Sequence, residues 1–275
     1  MNTFKRTDEI LLDIRNISLS FGSKLILRDV NATIKDLDDI GQVVCFLGPS
    51  GIGKTQLSRI IAGLQTPSAG EVRLRDKLTK AGEVCMVPQN YVMFDYATVA
   101  ENLVIAGKQA GLSKPQINEK ATGFIKAFEL EEHLGKYPKE LSGGTKQRVA
   151  IARQLMCASN YMVMDEPFSG LDPIMKKRAT EAIVKLSQLD TYNTIIVVTH
   201  DITEGLSVAD TVWLMGYEPE GGAEGDQKPT FKPGARLIEQ YDLADMGFAW
   251  HPDIAHNLAF LDFVGMIKDR FQTLR

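Results

Sequence analysis

The sequence predicts an α/β fold organised around a largely parallel β-sheet, on three observations. Short, almost unbroken apolar runs, "QVVCFL", "YMVMD" and "TIIVVT", have the composition of strands covered on both faces. Between Gln42 and about Leu214 such runs alternate with segments of helical period, the pattern of parallel strands joined by helical crossovers. The opening stretch, "ILLDIRNISLSFGSKLILRDVNATI", instead alternates apolar and polar residues and reads as antiparallel strands with one buried face.

The elements follow in order. After the antiparallel start comes the strand "QVVCFLG", then the helix "KTQLSRIIAGL", whose stripe is Leu57, Ile60, Ile61 and Leu64. From Val99 to about Glu140 the text is helical and loop-like, which predicts a helical subdomain inserted at about 95–155. "LSGG" then opens a helix over "TKQRVAIARQLMC", and the strands "YMVMD" and "TIIVVTH" flank a helix over "PIMKKRATEAIVKLSQL". The stretch "GYEPEGGAEGDQKPTFKPG", 216–234, lacks periodicity and reads as a surface excursion. The tail is expected to form an amphipathic helix burying Leu258, Leu261, Phe263, Ile267 and Phe271. On this reading 1–216 is the main domain and 217–275 an extension.

Bulk properties narrow the function. A chain of 275 residues with 44% hydrophobic and 24% charged residues can bury a substantial core. The net charge of −4 gives no general attraction to nucleic acid or anionic lipid. No secretory signal is expected in "MNTFKRTDEILLDI", and no run approaches the roughly 20 apolar residues that cross a bilayer. Cys45, Cys85 and Cys157 lie far apart in apolar surroundings and are expected to be buried small hydrophobes in a reducing compartment. His251 and His256 have no further ligand beside them in the sequence, so no metal site is expected there.

The chemistry is concentrated in a few short stretches. Gly48-Pro49-Ser50-Gly51-Ile52-Gly53-Lys54-Thr55 matches G-x-x-x-x-G-K-[ST] in full, between a strand and a helix. Glycines let backbone N–H groups approach phosphate oxygens, and the helix N-terminus adds roughly half an elementary charge. Lys54 supplies a full charge for the β- and γ-phosphates, and Thr55 a hard oxygen for Mg²⁺. At the end of "YMVMDE", Asp165 is placed to hold the metal and Glu166 to polarise an attacking water. Ser142, Gly143 and Gly144 form a second anion-binding helix start. With one lysine loop and two phosphate-facing ends, a composite site shared by two copies is predicted.

Taken together, the chain resembles an ATP-binding-cassette (ABC) ATPase from about residue 10 to 216. The resemblance rests on the ordered set "GPSGIGKT", "VPQN", "LSGGTKQRVAIARQL", "YMVMDEPFSGLDP" and "VVTHD". It implies a P-loop NTPase core of mostly parallel sheet, with an N-terminal antiparallel β subdomain and an inserted helical subdomain. It also implies ATP and Mg²⁺ as ligands, and a head-to-tail dimer with a second copy or a related cassette. Ser142 and Gly144 of one copy would meet the γ-phosphate held by Lys54 of the other.

Further roles come from the same resemblance. Gly48 through Thr55 and the following Gln56 line the nucleotide, Phe21 stacks on adenine, and Gln89 touches the metal and the water. Asp172 crosses the dimer interface and His200 contacts the γ-phosphate. Thr145 stands where Gln is usual and Gln56 where Ser or Thr is common; neither change removes a charge or a glycine. "TVAENLVIAG" is similar to the region of importer cassettes that docks a permease, and "KPGARLIEQYDL" is similar to a short stretch in nitrate, sulfonate and taurine cassettes.

The resemblance therefore implies ATP hydrolysis that drives a separate membrane permease, with a solute-binding protein as an indirect partner. The place implied is the cytoplasmic face of the inner membrane. The alternative, a soluble cassette ATPase acting on ribosomes or nucleic acid, fits less well with one cassette, no sustained heptads and net negative charge.

Overall fold

A computed structural model describes residues 5–89, 92–156, 160–220, 230–251 and 254–274. The antiparallel start is the hairpin β1 (Arg6–Phe21) and β2 (Lys24–Leu37), followed by the central strand β3 (Gln42–Leu47) and helix α1 (Lys54–Ile61). Then come β4 (Ala69–Leu74), β5 (Lys77–Leu78) and β6 (Cys85–Val87). The inserted block holds α2 (Val99–Gln109), α3 (Lys114–Ala127) and α4 (Gly143–Leu155). The core resumes with β7 (Tyr161–Asp165), α5 (Pro173–Ser187), β8 (Thr194–Thr199), α6 (Ile202–Val208) and β9 (Thr211–Gly216). The extension contributes β10 (Pro219–Glu220), β11 (Thr230–Phe231), β12 (Arg236–Asp242) and α7 (Leu258–Gln272).

The central sheet runs β12-β9-β3-β8-β7-β6, parallel throughout except that β12 lies antiparallel on β9. Its strands read as apolar runs because both faces are covered. Val43, Cys45, Leu47, Met162, Met164, Ile195 and Val197 face the helical core, which includes residues of α2, α4 and α7. Their alternating neighbours Val44, Phe46, Tyr161, Val163, Ile196 and Val198 face the second core, built with α1 and the antiparallel sheet β2-β1-β4-β5. A period-two pattern thus serves two cores at once.

Helix ends account for the departures from expectation. Leu57, Ile60 and Ile61 are buried, but Leu64 is 59% exposed. Helix α1 stops at Ile61, and Gly63 turns the chain at φ 68, so Leu64 leaves the stripe. In α7 the buried face is Phe260, Phe263, Val264 and Ile267, spaced i, i+3, i+4, i+7. Leu258 and Leu261, expected inside, are exposed: Asn257 caps the helix immediately before Leu258, and Leu261 lies off the buried stripe. Phe271 is half-buried.

Of the excursion at 216–234, residues 221–229 lie outside the described residues, and the flanks pair as β10 and β11. The Glu218 carboxylate accepts from Lys232 (2.6 Å), Arg28 (2.7 Å) and Arg236 (3.1 Å), and those contacts hold it down at about 2. Ala235 exchanges backbone hydrogen bonds with β2, donating to Ile26 and accepting from Arg28, both at 2.9 Å. Cys45 and Cys85 are buried, while Cys157 lies outside the described residues.

Candidate nucleotide site

Four adjacent strands, β3, β8, β7 and β6, deliver the predicted residues from their carboxyl ends, where open parallel sheets characteristically bind ligands. The loop Gly48–Gly53 leaves β3, Thr199 and His200 end β8, Asp165 and Glu166 end β7, and Gln89 follows β6. A cleft of about 380 Å³ opens there, lined by Phe21, Ile26, Ser50, Gly51, Gly53, Lys54, Thr55, Gln56, Gln89, Glu166 and His200, with Gly48, Asp165 and Thr199 behind its wall.

The loop requires its glycines at two points in particular. Gly53 has φ 103 and precedes the first residue of α1, and a Cβ there would lie 2.8 Å from Ile26 Cγ2. Gly48 lies so close to its neighbours that a Cβ would sit 2.6 Å from Ile52 Cδ1 and 2.8 Å from the Met215 carbonyl oxygen. Pro49 and Ile52 are buried behind the loop, while Ser50 and Gly51 are exposed at its crest. The loop therefore presents backbone, with few side chains in the way.

Lys54 is 5% exposed. Its ammonium donates to the carbonyls of Gly48 (2.9 Å) and Pro49 (3.0 Å) and pairs with Glu166 Oε1 at 3.3 Å. Burial lowers its pKa, opposed by Glu166 and by Asp165. Glu166 adopts φ 51, a left-handed conformation seldom taken by a residue with a side chain. That turn faces its second oxygen toward β8: Oε2 accepts from Thr199 Oγ1 (3.0 Å), the His200 backbone N–H (3.3 Å) and His200 Nδ1 (2.8 Å).

Asp165 is buried, and its pKa is raised chiefly by desolvation, against a hydrogen bond from Thr55. Its Oδ1 has no hydrogen-bond partner among the described residues. A buried, unsatisfied carboxylate oxygen is costly, and with the Thr55 hydroxyl it forms a hard-oxygen donor set suited to a divalent cation. Gln89 is exposed and donates to Ser169 Oγ at 3.1 Å. Phe21 is 55% exposed at the cleft rim, so it contributes little to either core and offers a ring face.

Ser142, Gly143, Gly144 and Asp172 do not line the cleft of their own chain. Ser142 caps α4, its Oγ accepting from the Thr145 N–H at 3.3 Å. A Cβ at Gly144 would fall 1.7 Å from Met175 Cε, the movable end of a flexible side chain. Gly143 is exposed, with nothing within 4 Å of a Cβ. Asp172 caps α5, accepting from the N–H groups of Ile174 (2.9 Å) and Met175 (3.0 Å).

Sequence reasoning missed Ile26, Thr199 and Ser169. Ile26 reaches the cleft only because β2 folds back on β1, and no local signal marks it. Thr199 precedes His200 in "VVTH" and was legible only as the last residue of a strand.

Comparison with known proteins gives a consistent result. A sequence model described as ABC transporter matches residues 27–169. The chain is 33% identical over 215 residues to the Fe(3+) ions import ATP-binding protein FbpC of Escherichia coli (strain K12), an alignment covering 76% of this chain and 60% of that one. It is 38% identical to the sulfate/thiosulfate import ATP-binding protein CysA of Halalkalibacterium halodurans, covering 74% and 58%. It is 39% identical to the spermidine/putrescine import ATP-binding protein PotA of Thermotoga maritima, covering 74% and 55%. The chain thus spans little more than half the length of these relatives. Among solved structures, cbiO1 from Clostridium perfringens, part of the ABC transporter complex cbiONQ, superposes with TM-score 0.72 at 23% identity, covering 95% of this chain and 100% of that one. The dimeric cassette MJ0796 gives 0.67 at 24%, covering 85% and 99%. At those identities the likeness concerns the fold.

Proposed function

The chain belongs to the ABC transporter family, and from that premise we propose that it is the ATP-hydrolysing subunit of a transporter, energising a separate membrane permease that imports a small solute. The observation that carries this reading is the Glu166 carboxylate, which pairs with the Lys54 ammonium through one oxygen and with the His200 ring through the other. A base, a phosphate-binding cation and a γ-phosphate contact meet on one side chain.

Residues 48–56 wrap the phosphates with backbone N–H groups, and Phe21 stacks on the adenine ring at the cleft rim. An incoming phosphate competes with Glu166 for the Lys54 ammonium, and so frees the carboxylate to accept a proton from water. His200 steadies Glu166 and contacts the terminal phosphate, while Gln89 orients the water from the β6 side. Bound Mg²⁺ supplies neutralisation of phosphate charge, and Thr55, Asp165 and Gln89 would hold it. Ser142, Gly143 and Gly144 of a second copy close over the γ-phosphate, with Asp172 at the same interface. Their position outside their own chain's cleft supports this composite site.

ATP favours the closed dimer, and hydrolysis releases it, so the cycle moves a permease docked on the helical block at 95–155. Residues 1–216 form the motor, and 217–275 an accessory extension. No helix among the described residues is long and apolar enough to cross a membrane. The protein acts as a peripheral subunit at the cytoplasmic face of the inner membrane, beneath a permease that receives its cargo from a solute-binding protein on the opposite face. No specific observation favours the alternative on ribosomes or nucleic acid, and the net charge of −4 counts against it. The test is Lys54→Ala: nucleotide affinity is expected to fall below detection by calorimetry, and unchanged affinity would overturn the cleft as the ATP site.

A further inference from the structure

One charged cluster lies beside the cleft without lining it. Lys176 on α5 forms an ion pair with Asp201, the residue immediately after His200. Both side chains are about one-quarter exposed, at 27% and 21%. Asp201 is held from a second direction by a hydrogen bond with Glu204 of α6, whose carboxyl burial and the neighbouring Asp201 push up to about 7.

Asp201 is tied to the reacting carboxylate by two routes. Its peptide neighbour His200 donates to Glu166 Oε2 through both the backbone N–H and the ring. Its own N–H donates to Thr199 Oγ1 at 3.0 Å, and that hydroxyl donates to the same Oε2 at 3.0 Å. On the other side, the Lys176 N–H donates to the Asp172 carbonyl at 2.9 Å, one helical turn from the cap of α5. Direct contacts therefore run unbroken from Asp172, through Lys176 and Asp201, to Glu166.

We propose that Lys176 is a positioning residue for hydrolysis: by holding Asp201 it fixes the backbone from which Thr199 and His200 orient the Glu166 carboxylate. The inference rests on Glu166 acting as the base. It adds that α5, which begins at the Asp172 cap, is mechanically connected to that base within the same protomer. A shift of α5 on engagement with a second copy moves Lys176, and with it the contacts that aim Glu166. A displacement of the order of 1 Å in such a constellation costs up to about a hundredfold in rate.

The test is steady-state phosphate release by the full chain as a function of ATP concentration. Lys176→Met is expected to lower kcat on the order of tenfold while leaving KM within about twofold. Lys176→Arg restores most of the loss, and Lys177→Met, at the exposed next position, leaves the rate unchanged. Asp201→Asn matches the loss, and the double variant is no worse than either single one, as expected for a shared contact. A Lys176→Met rate within about twofold of wild type, multiplicative losses in the double variant, or a rise in KM without a fall in kcat would each overturn the proposal. If Lys176→Met does not fold, the exchanged pair Lys176→Asp with Asp201→Lys takes its place: recovered turnover supports the contact and its absence refutes it. Glu166→Gln in the same series separates the two readings. A dead Glu166→Gln beside a normal Lys176→Met sinks only the positioning role, whereas full activity of Glu166→Gln sinks the base itself.

Discussion

Replacing Glu166 by Gln removes one charge and leaves the shape. The carboxylate stands 3.3 Å from the Lys54 ammonium. At an effective dielectric constant of about 20 the gross attraction at that distance is about 5 kcal/mol, an upper bound from which desolvation subtracts. Burial is the largest influence on Lys54 and lowers its pKa, so much of that gross attraction is offset. If about 1 kcal/mol survives, removing the competitor tightens ATP binding about fivefold. Turnover moves the opposite way: losing a positioned base costs about a hundred- to ten-thousandfold, or about 3 to 5 kcal/mol in the barrier. The variant is therefore expected to bind ATP at least as well as wild type, release almost no phosphate, and accumulate as a closed dimer in size-exclusion chromatography with Mg-ATP. Without nucleotide it should melt lower, because a buried ammonium has lost its counter-charge, and ATP should restore the difference. Undiminished phosphate release, or weakened binding with turnover intact, would refute the reasoning.

Other outcomes follow from single residues. Phe21→Ala should leave the melting temperature nearly unchanged, since the ring is 55% exposed, and weaken ATP binding by about 1 to 3 kcal/mol in calorimetry. Ser142→Ala should cost about 1 kcal/mol of stability through the lost cap, and abolish ATP-driven dimerisation while single-chain nucleotide affinity holds. Asp210 is fully buried against Arg6 and the Val43 N–H, and burial outweighs those partners to raise it to about 6. The unfolded chain loses that proton near 3.8 and the folded chain only near 6. This contribution to stability is complete below about pH 4 and is lost as pH rises through about 6, a change of about 3 kcal/mol. Urea unfolding of wild type and Asp210→Asn should thus show a stability difference that shrinks over that range, and a constant difference would rule the assignment out.

Much of the site was legible because its chemistry sits in loops directly after apolar strands. Gly48 to Thr55 requires a special backbone, a cation and a hydroxyl in fixed order, and Asp165-Glu166 and His200 each end a short apolar run whose length suits an interior strand. What escaped depends on strand order and pairing. Nothing near Ile26 announces that β2 folds its side chain into the cleft, and nothing in "MKKR" distinguishes Lys176 from Lys177. The choice is made by α5 lying against α6, which turns one lysine toward Asp201 and leaves its neighbour in solvent. The misjudged apolar positions have a similar origin: Leu64 and Leu258 lie at or beyond helix ends, where the 3.6-residue period no longer governs direction.

The two glycines after Ser142 differ in their surroundings. A Cβ at Gly144 would meet the Met175 methyl, but that methyl ends a flexible, half-buried side chain that can swing away, so packing alone gives Gly144 a weak reason to stay. Gly143, the first residue of α4, has no neighbour at all within 4 Å of a Cβ. Packing within the chain therefore demands neither glycine, which accords with the proposed contact to a nucleotide held by a second copy. In that proposal a phosphate approaches the exposed N-terminus of α4, where the glycines leave the backbone N–H groups uncovered. The same chain keeps Lys54 some 90 residues earlier in sequence and in a cleft that Gly143 does not line, so the proposed clasp takes one half from each of two copies.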